Sequence, residues 1–542
     1  MAVISNPVLK GFNPDPSICR VGETYYIATS TFEWFPGVQV HKSSNLVNWE
    51  LATQILTERK QLDMQGVPDS GGVWAPCLTY HDNLFWLVYS NVTCIRPNGW
   101  DVSNYLVTSP NIEGPWSGPI YLNSSGFDAS LFHDDDGKKY LLYMDVDEHM
   151  KRHRFGGIGL REYLPGEQKL SDEEHVVYAG TPIKLTEAPH VYKENGYYYL
   201  LVAEGGTEYT HAASLARSRN ILGPYETHPD NPILSSYSNP YNYLQKAGHA
   251  SFVKTHWGGW YLAHLTGRPI ADDTVSIYHH RGFCPLGRES ALQKLEWRND
   301  WPYVVNGPVP STEVEAPPEV QDVRPVEPVR LRDNFEGDKL DVNWATLRAS
   351  SFDGIYSLTE RPGFLRLYGK ESLASLRTKA LVARRWQSLN FEAVTAVEFA
   401  PFNDKHQAGI ACFYNSGNWS SLGITYIKGK GRVLNIVVSD GGPGCTDITM
   451  PIDGNEVVID DSVKTVYLKV TVNGAEYRYG YSFDNQNWHA IGGAFDSRKL
   501  SDDYIVRKNP GFFTGAFVGL YCVDNFNRAL SADFDFFDYN EQ

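Results

Sequence analysis

Short runs of alternating apolar and polar residues, separated by turns rich in Gly, Asn, Asp and Pro, fill this chain, and long helical periodicity is scarce. Five of the runs share one plan. A lead residue opens a small turn-forming stretch and a first strand, a polar loop follows, and an aromatic-rich apolar strand completes the unit. The copies are Asp15-Pro16-Ser17-Ile18 before Tyr25-Tyr26-Ile27-Ala28, Trp74-Ala75-Pro76-Cys77-Leu78 before Leu84-Phe85-Trp86-Leu87, and Asp128-Ala129-Ser130-Leu131 before Tyr140-Leu141-Leu142-Tyr143. Glu187-Ala188-Pro189-His190-Val191 before Tyr197-Tyr198-Tyr199-Leu200 and His249-Ala250-Ser251-Phe252-Val253 before Trp260-Tyr261-Leu262-Ala263 complete the set. Their spacing of about 54 to 62 residues fits one four-stranded propeller blade with its loops. Strand-turn tails at Val40–Trp49, Ser109–Trp116 and Leu215–Tyr225 complete the first, second and fourth units, and Thr31–Gly37 reads as a loop after an inner strand.

The pattern changes after the fifth repeat. Six prolines between Pro308 and Pro328, interleaved with Glu and Val, read as an extended linker or strap. From Leu331 to Gln542 the alternation resumes, as in Thr465–Val472, with turns at Asn473-Gly474 and Asp440-Gly441-Gly442, and it ends in a strand near Ala532–Tyr539. A β-sandwich is the economical assignment. The expected fold is all-β: a five-bladed propeller over residues 1–307, a Pro-rich linker over 308–330 and a sandwich over 331–542.

Composition narrows the function. A chain of 542 residues exceeds one ordinary core. A net charge of -16 argues against nucleic acid or an acidic membrane surface as partner, and an aromatic content of 13 % beside many carboxylates suits a neutral sugar. Seven dispersed cysteines without a CxxC pair read as reduced thiols. Met1–Pro7 carries neither a basic stretch nor a long apolar run, and no later run approaches a membrane span, so the expected location is cytoplasmic. Exposed edges and a large sandwich make a homo-oligomer the expected assembly.

If the repeats are equivalent, Asp15, Trp74, Asp128, Glu187 and His249 meet at the mouth of the central channel. A lone carboxylate at a strand end is usually a satisfied surface residue. Three converging carboxylates are costly, and such clusters are kept for chemistry. Hydrolysis of a glycoside with inversion needs one carboxylate to activate water and a protonated carboxyl to protonate the leaving oxygen, roughly 6.5 to 9.5 Å apart.

Asn13-Pro14-Asp15-Pro16-Ser17, Gly72-Val73-Trp74-Ala75-Pro76, Ser125-Gly126-Phe127-Asp128, Leu185-Thr186-Glu187-Ala188-Pro189-His190, Lys246-Ala247-Gly248-His249-Ala250 and Pro285-Leu286-Gly287-Arg288-Glu289 stand in the order seen in glycoside hydrolase family 43. The chain resembles that family's two-domain β-xylosidases, with a propeller followed by a concanavalin-like sandwich. The resemblance implies Asp15 as general base, Glu187 as general acid, and Asp128 as the residue that orients the acid and raises its pKa. It implies that Arg288 binds sugar hydroxyls and helps set the carboxylate charges, where the alternative is a surface ion pair with Glu289. Phe32 and Trp74 are expected to wall a sugar face or to pack between blades. His249 is expected to bind substrate or buried water. No cofactor is expected to be required, with Ca2+ held through His249 and water as the alternative; Asp134-Asp135-Asp136-Gly137 reads as a hairpin turn rather than a calcium loop. Gly511-Phe512-Phe513-Thr514-Gly515 is expected to close one side of the pocket through Phe513, or else to be a core strand.

The function implied is an inverting, exo-acting β-1,4-xylosidase that releases D-xylose from the non-reducing end of short neutral xylo-oligosaccharides. The alternatives are an α-L-arabinofuranosidase, a non-catalytic carbohydrate-binding propeller, and a retaining enzyme of the sucrose-cleaving type.

Overall fold

A computed structural model describes residues 2–96, 99–149, 154–271, 281–321, 323–441, 448–449, 456–506 and 512–542. Nearly all regular structure in them is β, and the one α-helix among the described residues is the four-residue turn Asp502–Ile505. Gly442 of the Asp440-Gly441-Gly442 turn, Gly511, and Cys445 among the seven cysteines lie outside the described residues.

Five antiparallel sheets form the propeller. Their innermost strands are Ser17–Val21, Cys77–His81, Gly126–His133, Glu187–Glu194 and Gln245–Lys254, one from each repeat. The ring closes because the first inner strand packs against both the second and the fifth. Serines of the repeat stitch it: Ser17 Oγ accepts from Leu78 N at 2.9 Å, and Ser251 Oγ accepts from Ile18 N at 3.0 Å while donating to Pro16 O at 2.7 Å. The strands that follow the inner ones, such as Tyr197–Glu204 and Trp260–Gly267, are buried on both faces over most of their length, which is why they read as nearly continuous apolar runs. At Asp134–Gly137 the chain makes the expected hairpin turn, with Gly137 N donating to Asp134 O.

The second unit is a sandwich of an eight-stranded and a nine-stranded sheet. Its alternation is direct: along Thr465–Asn473, Val466, Leu468, Val470 and Val472 are fully buried while their neighbours are half-exposed. They pack with Trp344, Trp386, Ile410, Leu520 and Phe537 into one core.

Two features of the seam differ from the pattern-based expectation. Within the stretch read as a loop after an inner strand, Trp34–Phe35 pairs antiparallel with Ala345–Leu347 and becomes the edge of the nine-stranded sheet. Alternation could not reveal this, because the partner lies more than 300 residues away. The Pro-rich stretch is also anchored: Glu313–Glu315 pairs with Val3–Ser5, and Arg324 exchanges two hydrogen bonds with the Asn48 side chain at 3.1 and 2.8 Å. The first sandwich strand, Arg330–Asp333, pairs with the last, Ser531–Glu541.

Trp34 is fully buried and stacks on Phe517 of the sandwich with centroids 3.7 Å apart. We expect Trp34→Ala to cost about 3–5 kcal/mol. The two units should also unfold in a single urea transition, since one sheet spans them; two separated transitions in the wild type would contradict this coupling.

Candidate active site

The five lead residues meet where the inner strands begin, and the backbone there is unusual. Asp15, Asp128 and His249 have φ of 56°, 53° and 41°, and Ala188, next to Glu187, has 50°. The left-handed region costs a non-glycine residue energy and recurs at functional sites. Ladder register breaks at the same places, between Phe127 and Ser130, between Glu187 and His190, and between Gln245 and Ala250. Such bulges twist a strand and re-aim a side chain, here into the channel. Gly248 allows the fifth: a Cβ on it would lie 2.1 Å from His211 Cδ2.

Asp15, Phe32, Trp74, Asp128, Glu187, His249, Arg288 and Phe513 all line one cavity of about 270 Å³. Asp15 Oδ2 accepts from Ser30 Oγ at 2.6 Å, Oδ1 accepts from Arg288 Nη1 at 3.0 Å, and His249 Nδ1 lies 3.4 Å from the same Oδ1. Burial alone would push the Asp15 carboxyl up, but Arg288, His249 and Ser30 outweigh it and hold Asp15 below the usual carboxylate range. Glu187 goes the other way. Burial first, and then the Asp15 charge, raise it well above an ordinary glutamic acid, with Arg288 opposing.

Asp128 is coupled to Glu187. The resemblance made it the ionised neighbour that raises Glu187, yet Asp128 is itself pushed far up, by burial and then by the Glu187 and Asp15 charges, against Arg288 and the Ala188 N–H. It is only 8 % exposed, so little water is present to screen the three carboxyls from each other. The Asp15 charge raises both carboxyls, and Asp128 and Glu187 titrate as one pair.

Arg288 is buried and directed at Asp15, not paired with Glu289, whose carboxylate is taken by Arg268 at 2.5 and 2.8 Å. Its Nη2 donates to Phe513 O at 3.1 Å, and the guanidinium lies over the Phe32 and Phe513 rings at 5.4 and 5.7 Å. Phe32 and Trp74 pack 6.1 Å apart in a cluster that spans the seam, and both face the cavity. Phe512 and Phe513 precede the strand Phe517–Asp524 as an irregular segment, and both line the pocket, so the core-strand alternative does not hold.

His249 and the buried His211 stand near Asp15, the half-buried His190 lies near His249, and burial lowers the pKa of all three. Among the described residues no three His, Cys, Asp or Glu side chains are grouped to hold a metal ion. His249 and Asp15 face a guanidinium whose positive charge would repel one, so the side chains present do not fit Ca2+.

Sequence reasoning missed Trp100, Phe127, Phe155, Thr207 and Glu208 on the cavity wall, and Ser30 beneath Asp15. Phe127 was within reach, since it directly precedes a lead residue inside a quoted motif. Trp100 and Phe155 enter at the starts of the third strands of blades two and three, at positions without counterparts in the repeat.

The comparisons with known proteins agree with this geometry. Residues 4–302 match the sequence model of glycosyl hydrolases family 43, and residues 332–540 match that of the beta xylosidase C-terminal concanavalin A-like domain. A beta-xylosidase of Bacillus subtilis (strain 168) is 55 % identical over 99 % of this chain and 100 % of its own. A xylosidase/arabinosidase of Humicola insolens is 44 % identical over 99 % of this chain and 98 % of its own. Among solved structures, the xylan beta-1,4-xylosidase of Bacillus halodurans C-125 superposes with a TM-score of 0.93 at 46 % identity, covering 99 % of this chain and 100 % of that one. The chain belongs to glycosyl hydrolases family 43.

Proposed function

We propose that the protein is an inverting, exo-acting β-xylosidase that releases D-xylose from the non-reducing end of short β-1,4-linked xylo-oligosaccharides. The observation that carries the reading is a buried set of carboxyls with opposed proton affinities, Asp15 held ionised and Glu187 held protonated, in one aromatic-walled cavity. Relatives that share the whole length of the chain include beta-xylosidases of Bacillus subtilis (strain 168) and Bacillus halodurans C-125, which supports xylose as the sugar. A cavity of about 270 Å³ lies at the small end for ligand sites and suits one sugar ring rather than a threaded chain, which favours exo attack.

In the reaction Asp15 takes a proton from the water that attacks C1. The water oxygen bonds to C1 as the glycosidic C1–O bond breaks, and Glu187 gives its proton to the departing oxygen. A β-xyloside therefore yields α-xylose. Asp128, sharing the proton-retaining environment of Glu187, keeps the acid loaded. The Arg288 charge restrains all three carboxyls from rising further. The Humicola relative favours a second, slower activity on α-L-arabinofuranosides in the same pocket, measured by parallel kinetics on the two aryl pentosides.

Asp15→Asn and Glu187→Gln should each lower kcat on xylobiose by about 10² to 10⁴. Proton NMR of the earliest product should show α-xylose from the wild type; early β-xylose, or near wild-type turnover by either variant, would overturn the assignment.

The profile of kcat/KM against pH should be bell-shaped, its acid limb reporting Asp15 and its alkaline limb the Asp128–Glu187 pair. Because Arg288 lowers the pKa of each of these groups, Arg288→Gln should move both limbs to higher pH. A limb that stays in place or moves to lower pH would show that the Arg288 charge does not reach that group.

A further inference from the structure

Ser70 lies outside the carboxyl set, and the cavity lining does not include it, yet its polar atoms connect both sides of the pocket. It is fully buried in the loop between the first and second blades. Its N–H donates to Glu33 Oε2 at 3.0 Å, its carbonyl accepts from Trp74 Nε1 at 2.8 Å, and its Oγ accepts from the backbone N–H of Phe513 at 2.9 Å. Trp74 is the propeller's aromatic wall and Phe513 the sandwich's, and their rings meet at 5.7 Å with planes 79° apart.

The surrounding loop is fixed by the sandwich. Arg348 Nη2 donates to Asp69 Oδ1 at 2.7 Å, Arg348 N donates to Glu33 O at 3.0 Å, and Ser416 N donates to Asp69 Oδ2 at 3.2 Å. Ser70 itself stands at φ 62°, a conformation that glycine adopts without strain and serine does not. A strained, buried serine with N–H, carbonyl and hydroxyl oxygen all engaged is a junction whose side chain contributes one specific bond, the one to Phe513.

We propose that Ser70 is a positioning residue that sets the gap between the Trp74 and Phe513 walls, and thereby how tightly the pocket grips a sugar ring. The inference rests on the glycosidase reading above. It separates two functions of the site: Ser70 makes no hydrogen bond to Asp15, Asp128 or Glu187 and reaches Arg288 only through the Phe513 backbone, so its hydroxyl acts on the aromatic gap ahead of the chemical step.

Ser70→Gly tests this, because it removes the hydroxyl, spares the carbonyl bond to Trp74 and relieves the backbone. Its melting temperature should stay within a few degrees of the wild type, because relief of the left-handed backbone offsets the lost hydrogen bond and the freer unfolded chain. On xylobiose its KM should rise about tenfold, the equivalent of one buried hydrogen bond. Its kcat should stay within about twofold, the mark of lost uniform binding. Calorimetric titration with D-xylose should show a matching loss of affinity without any turnover. If Ser70→Gly melts early, Ser70→Cys, which keeps the volume and offers only a weak sulfur acceptor, should show the same rise in KM. Unchanged KM and D-xylose affinity in a folded variant, or a fall in kcat at constant KM, would overturn the role. A wild type that binds D-xylose but leaves xylobiose intact would overturn the glycosidase reading, and the D-xylose affinities would still decide the role of Ser70.

Discussion

The site depends on one buried guanidinium. Arg288 joins the propeller's Asp15 to the carbonyl of the sandwich's Phe513, the first contact buried and the second partly so. In such a medium a fixed charge acts strongly on its neighbours, and an unpaired one is costly. Asp15 supplies the counter-charge, so the pair stabilises the ionised state of one carboxyl while Glu187 and Asp128, without a cation of their own, retain protons. Opposed proton affinities in residues of one chemical type thus follow from where a single cation is placed.

That placement requires a strained frame. Left-handed backbone at Asp15, Asp128 and His249 costs of order 1–3 kcal/mol at each residue. The inner strands offset it through a closed ring of buried apolar faces and serine stitches between neighbours. The strain turns the side chains from the sheet faces, where their strand positions would put them, toward the channel.

The sandwich is part of the site rather than an appendage. It receives the Trp34–Phe35 strand into its sheet, stacks Phe517 on Trp34, holds the Asp69 loop through Arg348, and delivers Phe512 and Phe513 to the pocket. The propeller supplies the carboxyls and most of the wall, and the sandwich adds Phe512 and Phe513 to the same cavity.

The sequence by itself determined the strand alternation, the fivefold repeat and the identity of the lead residues, because these follow from local periodicity and turn chemistry. It also supplied Arg288 and the Phe512–Phe513 pair as candidates through ordered motifs. Tertiary structure decided the rest: that Arg288 faces Asp15 and not Glu289, that Ser30 and His211 stand beside that carboxyl, that Asp128 retains its proton with Glu187, and that Ser70 bridges Trp74 and Phe513. Each of these depends on distance, burial and charge between residues far apart along the chain. Periodicity reports only a residue's nearest neighbours, whereas a pKa or a pocket wall is set by whatever the fold brings within a few ångströms.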